Sequence, residues 1–152
     1  MRTRGHTPSL EAAVQALARA GEHGLLWHAV AGSGLLLDRR RAPIYRRVIG
    51  TVLTTMVANT AVKYTVGRPR PVLDGLPALS STISGRSDPS AHASTSFAGA
   101  RVLSAALPRA PLYAVAAAMA LSRPYLGVHY PSDVVAGALL GDAVARWGTP
   151  AP

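Results

Sequence analysis

A chain of 152 residues with fifteen Arg, a single Lys and seven acidic residues carries a formal net charge of +9 and contains no Cys. At this length one domain over 1–152 is expected, disulfides and thiolate metal sites are excluded, and the charge calls for an anionic partner. One Lys and one Phe disfavour nucleic acid as that partner, leaving an anionic lipid surface or a phosphorylated substrate.

Residues 1–7 read as a tail, without the unbroken apolar run of a signal peptide in 1–20. Thr7-Pro8-Ser9-Leu10-Glu11 reads as a helix start. Leu10, Val14 and Leu17 at i, i+4 and i+7 then predict an amphipathic helix over 9–20, ended by Gly21. Such a helix lies on a membrane surface or closes over a bundle. Leu25–Leu37 is the first strongly apolar segment, and Asp38-Arg39-Arg40-Arg41 ends it. Val48–Val62 is the second. Lys63 to Asp88 is polar, rich in Pro and Gly, and longer than connecting loops usually are, which marks it as functional. A helix is predicted over Pro89–Leu107, with Asp88 as N-cap and Pro89 at the first position. Leu112–Leu121 and Pro131–Trp147 complete the set, and no strand pattern competes.

The expected fold class is all-α: an integral membrane helical bundle of about five apolar helices plus the N-terminal amphipathic helix. Residues 1–23 form the tail and amphipathic helix, and 48–147 the motif-bearing core. Each helix is at or below the length that spans a bilayer core of about 30 Å. If they span, Arg39, Arg40, Arg41, Arg46, Arg47, Arg109 and Arg146 fall on one side, which the positive-inside rule makes cytoplasmic. The 63–88 loop and the 122–133 stretch then share the outer face. A multi-pass plasma-membrane protein with its site outside is the expectation, although Arg2, Arg4 and Arg19 oppose it mildly.

Three segments on that face carry chemistry. Lys63-Tyr64-Thr65-Val66-Gly67-Arg68-Pro69-Arg70-Pro71 gathers three cations that repel one another unless an anion sits between them. It reads equally as a basic cluster touching lipid headgroups. Pro89-Ser90-Ala91-His92 opens a helix whose free N–H groups make a phosphate seat, with a hydroxyl from Ser90 and an acid in His92. The plainer reading is a structural His at a helix start. In Ser122-Arg123-Pro124-Tyr125-Leu126-Gly127-Val128-His129-Tyr130-Pro131-Ser132-Asp133, the i,i+4 spacing brings Asp133 beside the His129 imidazole, fixing its tautomer for attack. Arg123 adds a fork for phosphate oxygens. A capped helix start with a surface His is the alternative. Together the three segments supply what phosphoryl transfer without a metal requires. His92, His129 and Asp133 could ligate a metal, but the surrounding Arg and Lys disfavour a cation, so neither metal nor cofactor is expected.

Lys63-x6-Arg70-Pro71, Pro89-Ser90-Ala91-His92 and Ser122-Arg123-x5-His129-x3-Asp133 resemble, in order and spacing, the three signature motifs of the type 2 phosphatidic acid phosphatase superfamily. That superfamily also includes soluble bacterial acid phosphatases and vanadium haloperoxidases. The resemblance implies His129 as the nucleophile that becomes a phosphohistidine, Asp133 as its orienter, and His92 as the acid for the leaving group. It implies Lys63, Arg70, Ser90, Arg123 and the Ala91 N–H as phosphate ligands. Ala91 stands where the family usually has Gly, and the N–H remains. Arg68 lies outside the motif and is secondary. Within the superfamily the wording is similar to a compact actinobacterial branch that dephosphorylates a decaprenyl-linked phosphoribose in cell-wall arabinan synthesis. Undecaprenyl pyrophosphate and phosphatidylglycerol phosphate phosphatases use the same residues. A non-enzymatic protein binding anionic lipid is the remaining alternative. The 72–88 loop and Glu22-His23 are the expected lining of the substrate site, and the sequence leaves the oligomeric state open.

Two charges interrupt apolar helices. Arg101 and Asp142 each lie about 16–18 Å from the loaded end at the helical rise, where an unpaired charge is costly. An Arg101–Asp142 contact joining the third and fifth helices is predicted, against Asp142 pairing with Arg146 at i,i+4. Gly137 and Gly141 make a small-xxx-small face on the same helix.

Overall fold

The computed structural model describes residues 5–72 and 75–147. Six helices follow in order: α1 Pro8–Ala20, α2 Leu25–Leu37, α3 Ala42–Val66, α4 Ala91–Leu103, α5 Arg109–Tyr125 and α6 Pro131–Trp147. Single helical turns at Glu22–Gly24 and Arg39–Arg41 join α1 to α2 and α2 to α3. Among the described residues the only extended pairing is one isolated antiparallel bridge, Pro69 to Arg86. The all-helical expectation holds. Residues 1–4, with Arg2 and Arg4, and positions 73–74 of the 72–88 loop lie outside the described residues.

Helix α4 is the centre of the bundle and packs on α3, α5 and α6. Its tightest neighbour is α6, and the two predicted small residues explain why. A Cβ on Gly137 would stand 2.5 Å from the Ser90 carbonyl oxygen, and one on Gly141 2.0 Å from that of Ser94. Only the missing side chains let the two backbones approach this closely. Trp27, Tyr45, Val48, Val52 and Leu103 form the main apolar core. The Trp27 ring lies against Gly99, and its indole N–H donates to Ser96 Oγ at 3.1 Å.

Several helix ends differ from expectation. Helix α4 starts at Ala91 and is capped by Ser90 rather than Asp88, because the Pro89 carbonyl is already occupied by Lys63 Nζ at 2.8 Å and Asn59 Nδ2 at 3.3 Å. The first intrahelical acceptor is therefore the Ser90 carbonyl, which takes Ser94 N at 3.0 Å. The α-helix stops at Leu103, and 104–107 continue as tighter turns. Helix α3 begins six residues before Val48, with Pro43 in its first turn, where a missing N–H costs nothing. Helix α5 likewise takes Pro111 into its first turn and runs on through Pro124.

The bundle has two chemically distinct ends. At one, Asp142 Oδ1 accepts from Arg101 at 2.7 Å and Oδ2 from Arg146 at 2.8 Å, so both contemplated partners hold it. Arg41 and Arg47 reach the carbonyls of Ala106 and Ala145 at this same end. The other end gathers the C-terminus of α3, the N-termini of α4 and α6, and the 67–90 loop, tied by Ser90 N to the Asp133 carbonyl at 2.9 Å. The arginine-rich and chemically loaded segments are therefore segregated as the parity argument required. Helix α1 closes over the loaded end rather than standing apart. Gln15 Nε2 donates to the Leu79 carbonyl at 3.0 Å, and His6 stacks on Tyr125 at 4.3 Å.

No helix among the described residues is both long and apolar enough to cross a membrane. The lengths are part of the reason: α2 has 13 residues, about 20 Å at the helical rise. Helix α3 has 25 residues, but Thr51, Thr55, Asn59 and Lys63 place a polar residue at every fourth position on its buried face. Tyr45, Val48 and Val52 join the core from its first half, while Leu53 and Val57 are exposed, as are Val135 and Leu139 on α6.

Candidate active site

The loaded end encloses a cavity of about 280 Å³ lined by Lys63, Arg70, Ala91, His92, Arg123 and His129. Glu22, His23, Asn59, Thr60 and 81–84 complete much of its wall. Motif residues as much as 66 positions apart, Lys63 and His129, thus meet in one space, drawn from all three motifs.

His129 sits in the turn between α5 and α6, just before the helix start rather than within it. The turn needs Gly127 at φ 75°, a conformation that suits glycine. His129 Nε2 lies 3.2 Å from Arg70 Nη1. A guanidinium can only donate, so Nε2 is the acceptor and carries the lone pair. The proton therefore belongs on Nδ1, which faces Asp133 Oδ2 at 3.5 Å, within ion-pair range but without a formed hydrogen bond. Burial pulls the imidazole pKa down to about 4, Asp133 opposes this, and the charges of Arg70, Arg123 and Lys63 add to it. The ring is thus neutral at physiological pH, with its Nε2 lone pair turned to Arg70 on the cation side of the cavity.

Asp133, in the first turn of α6, is fully buried. Its Oδ2 also accepts from Tyr130 N at 2.8 Å, and its Oδ1 from Arg68 Nη1 at 3.0 Å. Arg68 further donates to Ser132 Oγ at 2.8 Å and covers the Tyr130 ring, 4.0 Å from its centroid. Sequence reasoning set Arg68 aside as secondary, yet it is a direct ion-pair partner of the orienting carboxylate. The available signal was its place among three crowded cations. Asp88, nearby, has its carboxyl raised by burial and by the charge of Asp133.

The cations divide by task. Lys63 spends its three donors on the carbonyls of Arg86, Ser87 and Pro89, and so fixes the entry to α4 from the cavity wall. Arg70 holds Ser84 and Val128 carbonyls, each at 2.7 Å, which leaves part of its fork for a ligand. Arg123 is 4% exposed, and its Nε has no hydrogen-bond partner among the described residues. A buried guanidinium N–H without an acceptor is costly and points to an anion as its partner. Ser90 caps α4 through Ala93 N, at 3.5 Å, and is buried beside the cavity rather than in its lining. Ala91 and His92 present the helix N-terminus to the cavity, a setting that favours anions.

His92 Nε2 lies 2.9 Å from the Ala18 carbonyl, so α1 orients this ring and Nε2 bears its proton. Asn59 was also missed by sequence reasoning. It bonds Ser94 Oγ at 2.8 Å and holds the start of α4 with Lys63, one helical turn away. The i,i+4 run of Thr51, Thr55, Asn59 and Lys63 in an otherwise apolar helix was its signal. Among the described residues no group of three His, Asp or Glu is arranged to hold a metal ion.

A helical bundle here brings a neutral histidine against arginines at a helix N-terminus, an arrangement suited to an anion, and residues 44–151 match the sequence profile of the PAP2 superfamily. The chain belongs to that superfamily and is a phosphoric ester hydrolase. It is 37% identical over 131 residues to the decaprenylphosphoryl-5-phosphoribose phosphatase of Mycolicibacterium smegmatis, covering 86% of this chain and 72% of that protein. The protein of the same name from Mycobacterium tuberculosis is 36% identical over 138 residues, covering 90% and 77%. The fold is shared with the crystal structure of Aquifex aeolicus LpxE, with a TM-score of 0.79 at 24% identity over 93% of this chain and 86% of that one. It is also shared with a transmembrane PAP2 type phosphatidylglycerolphosphate phosphatase from Bacillus subtilis, with a TM-score of 0.71 at 23% identity over 93% and 77%.

Proposed function

We propose that the chain removes the phosphate from a lipid-linked phosphate ester through a phosphohistidine, without a metal. The observation that carries this reading is the juxtaposition of the His129 Nε2 lone pair with Arg70 in a cavity that is also lined by buried Arg123, whose Nε–H has no described acceptor. The phosphoryl group sits between these cations and the N-terminus of α4, beside the Ala91 N–H, while Lys63 contributes its charge from the wall and Ser90 caps the helix behind it. His129 Nε2 attacks phosphorus as the bond to the lipid oxygen breaks. Asp133 holds the Nδ1 proton and stabilises the charge that develops on the ring. His92, protonated on binding of the phosphate dianion and held through Nε2–H by the Ala18 carbonyl, gives the proton on Nδ1 to the leaving oxygen and, once neutral, takes one there from the water that hydrolyses the phosphohistidine. Inorganic phosphate and the lipid alcohol are the products.

The substrate we favour is a polyprenyl phosphosugar of the kind named for the two mycobacterial relatives, decaprenylphosphoryl-5-phosphoribose. Exposed apolar side chains support a membrane setting: Val57 is 73% and Leu139 66% exposed, while Thr51, Thr55, Asn59 and Lys63 of the same α3 are buried. We place α2–α6 in the bilayer as a short, locally thinned multi-pass bundle with the cavity on the outer face, the Arg-rich end being cytoplasmic. The deciding assay is phosphate release from polyprenyl phosphates in detergent with EDTA present. Activity survives EDTA, vanishes in His129→Ala, and an acid-quenched reaction yields labelled phosphohistidine. Loss of activity in EDTA would sink the metal-free chemistry, and turnover by His129→Ala would sink the nucleophile.

A further inference from the structure

Among the described residues lining the cavity, Glu22 is the one carboxylate, and it shares that space with Lys63, Arg70 and Arg123. A carboxylate beside a phosphate seat repels the group the seat binds. It is also an acceptor only, so an apolar chain would leave it unpaired. Its charge acts on Arg123, but no hydrogen bond joins the two.

Glu22 and His23 stand on the single helical turn between α1 and α2. His23 is the one described non-glycine residue with positive φ, at 52°, and Gly24 follows at 72°. Such a conformation in a residue with a side chain persists only where the surroundings impose it. Here they do. A Cβ on Gly21 would come 2.3 Å from Met119 Sδ and 2.9 Å from His92 Cδ2, and one on Gly24 would come 2.5 Å from Val52 Cγ1. Two glycines thus seat the turn against α3, α4 and α5 and fix the two side chains between them. Ser81, Thr82 and Ser84 of the loop, with Thr60 of α3, add hydroxyls to the same wall.

One acceptor-only group, one imidazole and several hydroxyls match a ligand that donates and accepts several hydrogen bonds. We propose that Glu22 and His23, with Ser81, Thr82 and Ser84, form a subsite for the hydroxyl groups of a sugar or polyol to which the scissile phosphate is attached. It selects phosphosugar lipids over plain polyprenyl phosphates. This subsite rests on the phosphate seat argued above, because it takes the alcohol side of the same ester.

The test compares kcat/KM of the full chain in detergent micelles on a prenyl-linked phosphosugar and on a prenyl monophosphate of equal chain length. Wild type prefers the phosphosugar by about tenfold or more, the value of one hydrogen bond to a charged group. In Glu22→Gln and in His23→Gly the loss on the phosphosugar exceeds any loss on the plain phosphate by about tenfold. His23→Gly relieves the positive φ, so its Tm stays at or above that of wild type, which separates lost recognition from lost folding. Equal losses on both substrates would assign Glu22 to the phosphate seat through Arg123 and overturn the subsite. A turnover-free readout uses the His129→Ala protein with ribose 5-phosphate and pentyl phosphate. Ribose 5-phosphate binds about tenfold more tightly, and added Glu22→Gln levels the two. Equal affinities before that change overturn the subsite and leave the seat standing. Binding of neither probe, with a wild type inactive on every lipid phosphate, overturns both.

Discussion

Replacing Arg68 by Ala tests whether the orienting carboxylate needs its clamp. Asp133 is fully buried and accepts from Tyr130 N at 2.8 Å and Arg68 Nη1 at 3.0 Å, with His129 Nδ1 farther off at 3.5 Å. Removing Arg68 strips Oδ1 of its described protein donor. A hydrogen bond between charged groups is worth about 1.5–3 kcal/mol. The Arg68 side chain is 38% exposed, so water takes over part of that role and the loss falls to about 1–2 kcal/mol. Expressed wholly in the chemical step, this lowers kcat about 5- to 30-fold. Arg68 does not line the cavity, so KM changes little. Arg68→Lys restores a charge near Asp133 without the Ser132 and Tyr130 contacts, and recovers part of kcat. The assay is steady-state phosphate release with rapid-quench measurement of phosphohistidine formation. An unchanged kcat, or a change confined to KM, would refute a positioning role for Arg68.

Three further outcomes follow from the geometry. In the Arg101–Asp142–Arg146 cluster, whose members are partly exposed, a double-mutant cycle of Arg101→Ala with Asp142→Ala gives a coupling of about 1–2 kcal/mol by denaturant unfolding, between the ranges for surface and buried pairs. Additive losses would mean that the pair joins nothing. Gly141→Ala forces a Cβ onto the Ser94 carbonyl oxygen and costs about 1–3 kcal/mol of stability, with activity falling as α4 and α6 separate; an unchanged Tm would show that the helices are not held this close. His129, held neutral by burial, titrates by NMR with a midpoint near pH 4 in the free protein and higher with vanadate bound. Its stability contribution is present above about pH 6.5, the usual value, and is lost as pH falls to about 4, because in that window only the unfolded imidazole binds the proton. A midpoint near 6.5 would mean that the ring is solvated.

How far the sequence could be read depended on whether a residue's role was local. The i,i+4 relation of His129 and Asp133 is set by short-range geometry, and it was legible before the helix start was known. Arg101 with Asp142 was legible for a similar reason, since counting residues from two helix starts on one face fixes depth. Boundaries failed where a distant group decided them. Asp88 was the natural cap by composition, but Lys63 and Asn59 claim the Pro89 carbonyl from another helix and move the start of α4 to Ala91. The contacts of Arg68 with Asp133 and of Ala18 with His92 were missed for the same reason: each joins a motif residue across at least 65 positions of chain.

Short, weakly apolar helices left spanning undecided in the sequence, and the structure supplies a physical cause. A helix whose buried face includes Thr51, Thr55, Asn59 and Lys63 lowers its mean hydropathy by carrying the polar floor of the site inside the bundle, while Leu53 and Val57 lie on its outward face. Averaging along the chain mixes those two faces. Hydropathy therefore reads low in the helix that builds the site: the polar ladder that obscures a membrane helix also leads, one turn at a time, to the phosphate seat.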